Sequence, residues 1–212
     1  MLQSTHNTAV VQEVFTQINN ANISYAMIDI HEESFAKEIN VIVKKEDLTC
    51  IQKCLQQNEF RIIPHPLGSY YGWSFAYGAN EYVKYLNTDD TVVNICNELC
   101  VKSLMSNMWI PLDESINARV WSHRYFDNDN LYWKLDDVTM FIYLCSSCVF
   151  DLGCFSKIYR ERLNNLSNVL FNDETKNLFR LVFGTFTETL VLMIRDKDYD
   201  SILDSYVKFS DY

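Results

Sequence analysis

A chain of 212 residues, 48% hydrophobic and 14% aromatic, is long enough to bury a sizeable core and too apolar to be disordered. Its formal charge of −10, with 18 Lys and Arg against 28 Asp and Glu, and the lack of any segment that concentrates basic residues exclude the cationic stripe a phosphate backbone requires, so nucleic acid is not an expected partner. Five glycines and three prolines supply too few turns for a β-sandwich or barrel.

At the N-terminus, residues 1–7 show no basic segment followed by an apolar one, so no export signal is read and a cytoplasmic location is expected. Ser4 or Thr5 can cap a first helix in which Val10, Val11, Val14, Phe15 and Ile18 recur at helical spacing as far as Asn19-Asn20. Ile23 to Ile30 reads as a strand, His31-Glu32-Glu33-Ser34 as a polar break, and Glu38 to Val43 as a second strand. Glu46-Asp47 opens a helix with Leu48, Ile51, Cys54 and Leu55 on one face. Strands follow at Phe60 to Ile63, Tyr70 to Tyr77, Tyr82 to Leu86 and Thr91 to Ile95, the last three reading as consecutive antiparallel strands.

From about residue 112 the period changes. Arg119 to Tyr132 stays open, with a short aromatic hairpin around Asp127-Asn128-Asp129-Asn130 as one solution. Asp136 can cap a helix carrying Val138, Phe141, Ile142, Cys145 and Val149; further helical spacing runs from Phe155 to Leu166, Leu178 to Met193 and Tyr199 to Val207. The longest apolar stretch, Val138 to Leu152, is broken by Thr139, Ser146, Ser147 and Asp151 and is too short to span a bilayer, so no membrane partner is expected. The expected fold is α+β: an α/β core over residues 1–111, with a mixed, mostly antiparallel sheet and flanking helices, and a mainly helical C-terminal subdomain over residues 112–212.

Glu38-Ile39-Asn40-Val41-Ile42-Val43 is a strand whose period of two sets Glu38 and Asn40 on one face. Val92-Val93-Asn94-Ile95 places a second Asn on a later strand, and Leu135-Asp136-Asp137-Val138, Phe150 to Phe155 and Tyr159 to Leu163 continue the pattern. Over roughly residues 8 to 166 this order resembles the nucleotidyltransferase superfamily, and within it the uncharacterised nucleotidyltransferase-like proteins of bacterial peptide-modification and cell-surface sugar gene clusters. The resemblance implies metal positions at Glu38, Asn40 and Asn94, where active members carry carboxylates that hold two divalent cations. Mg²⁺ or Mn²⁺ with a nucleoside triphosphate would be the cofactors of an active member.

Two departures stand out. Asn40 and Asn94 remove two formal negative charges from a three-carboxylate site, and Asp29-Ile30-His31 replaces the family's Gly-Ser or Gly-Gly turn. The expected protein is therefore a noncatalytic or regulatory member that binds a protein partner or a nucleotide-related ligand. The alternative is a divergent transferase acting on a small-molecule or peptide acceptor, with Glu38, Asp29 and His31 as its catalytic centre. Asn40, Asn94, Arg160 and Arg162 are the candidate ligand-binding residues, since either Arg can meet a phosphate bidentately.

Other motifs read as packing. Cys145-Ser-Ser-Cys148 lacks the second ligand pair of a zinc site, and Cys50/Cys54 and Cys96/Cys100 have helical spacing among apolar neighbours. All seven thiols are expected as core residues without a structural disulfide. His65 and His123 have no nucleophile partner in sequence, and the run Tyr70 to Tyr77 alternates bulky and small residues as a packed strand does.

Overall fold

The computed structural model describes residues 3–28, 38–63, 82–86, 91–102 and 109–210. The strand expected at Tyr70 to Tyr77, the residues Asp29, His31 and His65, and the end of the first strand at Ile30 lie outside these segments.

In chain order the elements are helix α1 (Gln3–Asn20), strands β1 (Tyr25–Met27) and β2 (Glu38–Val43), helix α2 (Leu48–Gln57), and strands β3 (Arg61–Ile62), β4 (Tyr82–Leu86) and β5 (Val92–Cys96). A small pair follows, β6 (Cys100–Lys102) and β7 (Trp109–Pro111), then helix α3 (Glu114–His123) and the hairpin β8 (Tyr125–Asp127) and β9 (Tyr132–Lys134). The rest is helical: α4 (Asp137–Ser146) running into a π-helical turn (Ser147–Leu152), then α5 (Lys157–Leu166), α6 (Asp173–Phe183), α7 (Thr187–Arg195) and α8 (Asp200–Ser210). The chain divides into two compact units, residues 1–99 with 120–135, and residues 100–119 with 136–212.

In the first unit the described strands form a seven-stranded sheet in the order β3-β4-β5-β2-β1-β9-β8. Four of its pairings are antiparallel and two, β2 with β5 and β1 with β9, are parallel, so the sheet is mixed and mostly antiparallel. The fold is α+β. Strand alternation gives the sheet one apolar face: Tyr25 and Met27, Ile39, Val41 and Val43, and Val93 and Ile95 bury against Phe15 and Ile18 of α1 and Ile51 and Leu55 of α2. The opposite parity, which includes Asn40 and Asn94, is left for the other face.

The second unit is held by aromatic packing between helices. Phe141 of α4 lies 5.6 Å from Phe179 of α6, and Phe179 lies 5.0 Å from Phe183, ring centre to ring centre. The expected single helix from Leu178 to Met193 is instead α6 and α7, because Gly184 takes φ +54° and ψ −133°, a conformation closed to residues with a Cβ. Asp173–Arg195 is the run among the described residues with the length and composition of a membrane span, yet Phe179, Phe183, Phe186, Leu190 and Ile194 within it are buried in the protein.

All seven cysteines are free thiols. Cys145 and Cys148 are buried, whereas Cys50 and Cys154 are exposed rather than core residues. Cys96 closes β5 and Cys100 opens β6, so their i, i+4 spacing spans a turn between strands and not a helix.

Candidate functional site

Glu38-Ile39-Asn40-Val41-Ile42-Val43 forms β2 because β-branched residues fill its apolar positions and pack between β1 and β5. Its parallel register against β5 sets Glu38 beside Val92 and Asn40 beside Asn94. The two Asn side chains meet: Asn94 Nδ2 donates to Asn40 Oδ1 at 2.9 Å. Asn94 is buried at 1% exposure, while Asn40 is half-buried. The strand positions inferred from the sequence are thus brought together, with Glu38, described in its backbone, two residues along the same strand.

Lys84 of β4 pairs in register with Asn94, a neighbour that the sequence pattern did not single out. The alternation of Tyr82 to Leu86 carries the strand, but a strand's partner is set by register, which alternation leaves free.

A divalent cation of the Mg²⁺ type requires several anionic oxygens converging on one point. The Asn pair supplies neutral amides, and Asn40 Oδ1 already accepts the Asn94 amide. Exchanging oxygen and nitrogen in both side chains reverses the bond and keeps the pair joined. Among the described residues no group of three His, Cys, Asp or Glu is placed to hold a metal. The described donors do not fit a two-cation centre.

The remaining candidates fall elsewhere. Arg160 and Arg162 stand on α5 in the second unit, where the Arg160 guanidinium hydrogen-bonds both carboxylate oxygens of Asp200 and the Phe155 carbonyl. That pairing raises the Arg160 pKa and lowers that of Asp200. His123 ends α3, its Nδ1 2.8 Å from Ser122 Oγ. Burial pushes the Cys148 thiol up to about 12 and Cys145 well above its usual range, so both remain protonated, the form that neither attacks nor ligates.

No protein-family profile and no curated protein matches the chain. Among solved structures, the antibiotic-resistance factor ANT(2'')-Ia, a nucleotidyltransferase, is similar at a TM-score of 0.48 and 8% identity, over 92% of this chain and 94% of that one.

Proposed function

We propose that the chain is a nucleotidyltransferase-like protein with a degenerate metal site, acting as a noncatalytic binding or regulatory protein for a protein partner or a nucleotide-related ligand. The observation that carries this reading is the Asn94–Asn40 hydrogen bond at 2.9 Å across the parallel pair β2/β5. Two carboxylates in these positions would repel each other and call for a cation between them. Two amides are self-complementary: one donates, the other accepts, and the strand pair is polar yet neutral without any ion.

The test compares the unmodified chain with the double variant Asn40→Asp, Asn94→Asp in thermal unfolding, with chelator, with Mn²⁺, and with Mn²⁺ plus each nucleoside triphosphate. A ligand bound only by the native state raises apparent stability. The unmodified chain is expected to unfold at the same temperature with Mn²⁺ as with chelator. The double variant should be less stable in chelator and gain stability with Mn²⁺. Metal-dependent transfer of labelled nucleotide by the unmodified chain, abolished by Glu38→Ala, would overturn the noncatalytic reading.

A further inference from the structure

In the first unit, the end of α1, the turn that leads into β1 and the hairpin β8–β9 border an open hollow of about 320 Å³, within the range of small-molecule sites. Its cationic wall is Arg124, the residue that joins α3 to β8. The guanidinium carbon lies 4.6 Å from the ring centre of Trp133 and 5.6 Å from that of Trp121, and Lys44 Nζ stands 5.8 Å from the Trp121 ring. Both distances from Arg124 are within cation–π range.

Arg124 differs from other arginines of the chain in how its charge is met. Arg119, Arg160 and Arg180 each hold a carboxylate, whereas among the described residues the Arg124 guanidinium makes one hydrogen bond, from Nη1 to the Tyr25 carbonyl at 2.7 Å, and no ion pair. Burial lowers its pKa, against opposing electrostatic support from Tyr25 and Asp47; one oxygen of the Asp47 carboxylate accepts the Ser24 backbone N–H at 2.8 Å. A guanidinium carries five N–H donors in a planar fork, so the edge beyond Nη1 has no described protein acceptor. Around it the hollow is lined by Ser24 and Asn22 and by Phe126 and Trp133, whose rings pack edge-on at 5.5 Å.

We infer that this hollow binds a small organic acid with a flat apolar body, its carboxylate or phosphate seated on the free edge of Arg124 and its body against Trp133 and Phe126. The cation–π contacts with Trp121 and Trp133 restrain the guanidinium and lower the ordering cost of a bidentate contact. The inference is independent of whether the Asn pair once held metal.

The test is titration of the full chain with 3-phenylpropanoate, phenyl phosphate, inorganic phosphate and the neutral 3-phenylpropanamide, read by tryptophan fluorescence and calorimetry. The two organic anions are expected to bind saturably, and the one that binds tighter identifies the head group. The neutral amide and inorganic phosphate should each bind at least about tenfold more weakly, since one lacks the charge-assisted fork and the other the apolar body. Arg124→Lys, which keeps the charge and loses the fork, should weaken the better anion about tenfold. Equal binding of the amide, equal binding of inorganic phosphate, no saturable change with either organic anion, or undiminished affinity in Arg124→Lys would each overturn the inference. The amide comparison stands on the unmodified chain, so it decides even if Arg124→Lys fails to fold.

Discussion

At Asn94 a single atom separates a paired buried amide from a buried charge. Asn94→Asp removes the donor to Asn40 and places a carboxylate at a residue 1% exposed; the expected cost is about 1–3 kcal/mol at pH 7, shrinking at pH 4 as the new group protonates. Asp151 presents the reverse case. Burial raises its pKa to about 6, against the pull of the Lys102 N–H that it accepts at 2.5 Å. A carboxyl with a raised folded pKa gives its full stability below the unfolded value and loses it as pH rises through about 6. Asp151→Asn keeps an acceptor for Lys102 without a charge to bury, so at pH 7.5 it should stabilise the second unit by on the order of 1–2 kcal/mol and at pH 4 by nearly nothing. Thermal unfolding at the two pH values checks both variants, and a stabilisation from Asp151→Asn that is equal at both would refute the charge argument. The polar parity of β2 is readable in the sequence because period two separates Glu38 and Asn40 from Ile39 and Val41. That Asn40 meets Asn94 is not, because register joins residues 54 apart.

Among the elements, α4 shows what local chemistry can specify. Asp136 is readable as its cap, and in the structure the same carboxylate also anchors a distant side chain. It accepts from Val138 N at 3.3 Å and Thr139 Oγ1 at 2.5 Å, and it binds Arg119 Nη2 at 2.9 Å. Both ion-pair side chains are largely buried, at 10% and 16% exposure, so removing Asp136 leaves the Arg119 guanidinium with Glu174 as its remaining carboxylate. Asp136→Ala should cost about 2–3 kcal/mol, the cap together with a weakened Arg119 site, and Asp136→Asn should recover the cap's share of about 1 kcal/mol; denaturant unfolding of the pair separates the two. The helices α1, α2 and α5 and the strands β2, β4 and β5 are similarly legible because side-chain period and end residues are local signals. The hairpin β8–β9 is foreseen only as one option, and its joining of the sheet parallel to β1 through Met27 and Lys134 follows from packing between distant segments. The π-helical turn after Ser146 likewise leaves no trace in the period.

Across the whole molecule, buried tyrosines set an alkaline limit on both units. Burial pushes Tyr25 in the first unit, and Tyr159 and Tyr199 in the second, up from 10.0 to about 12. Tyr25 donates to Asn19 Oδ1 and Tyr199 to Asn164 Oδ1, both at 2.9 Å; at Tyr25 the Trp133 N–H, the Asn19 contact and the Arg124 charge pull the pKa down, and burial outweighs them. In the unfolded chain these groups ionise near 10, while in the folded chain they resist, so their contribution to stability is complete below pH 10 and is lost as pH rises toward about 12. An alkaline titration followed by tyrosinate absorbance and by circular dichroism should show the exposed phenols ionising first without loss of structure. A second group should then ionise together with unfolding. Tyr25→Phe removes the hydroxyl that must stay neutral, so it should shift the first unit's loss of structure to higher pH while costing about 1 kcal/mol at pH 7 for the lost hydrogen bond. A smooth single titration of every tyrosine near pH 10 with helices and sheet intact would show that these hydroxyls are reached by water in the folded protein, and would remove the physical basis for an alkaline limit shared by both units.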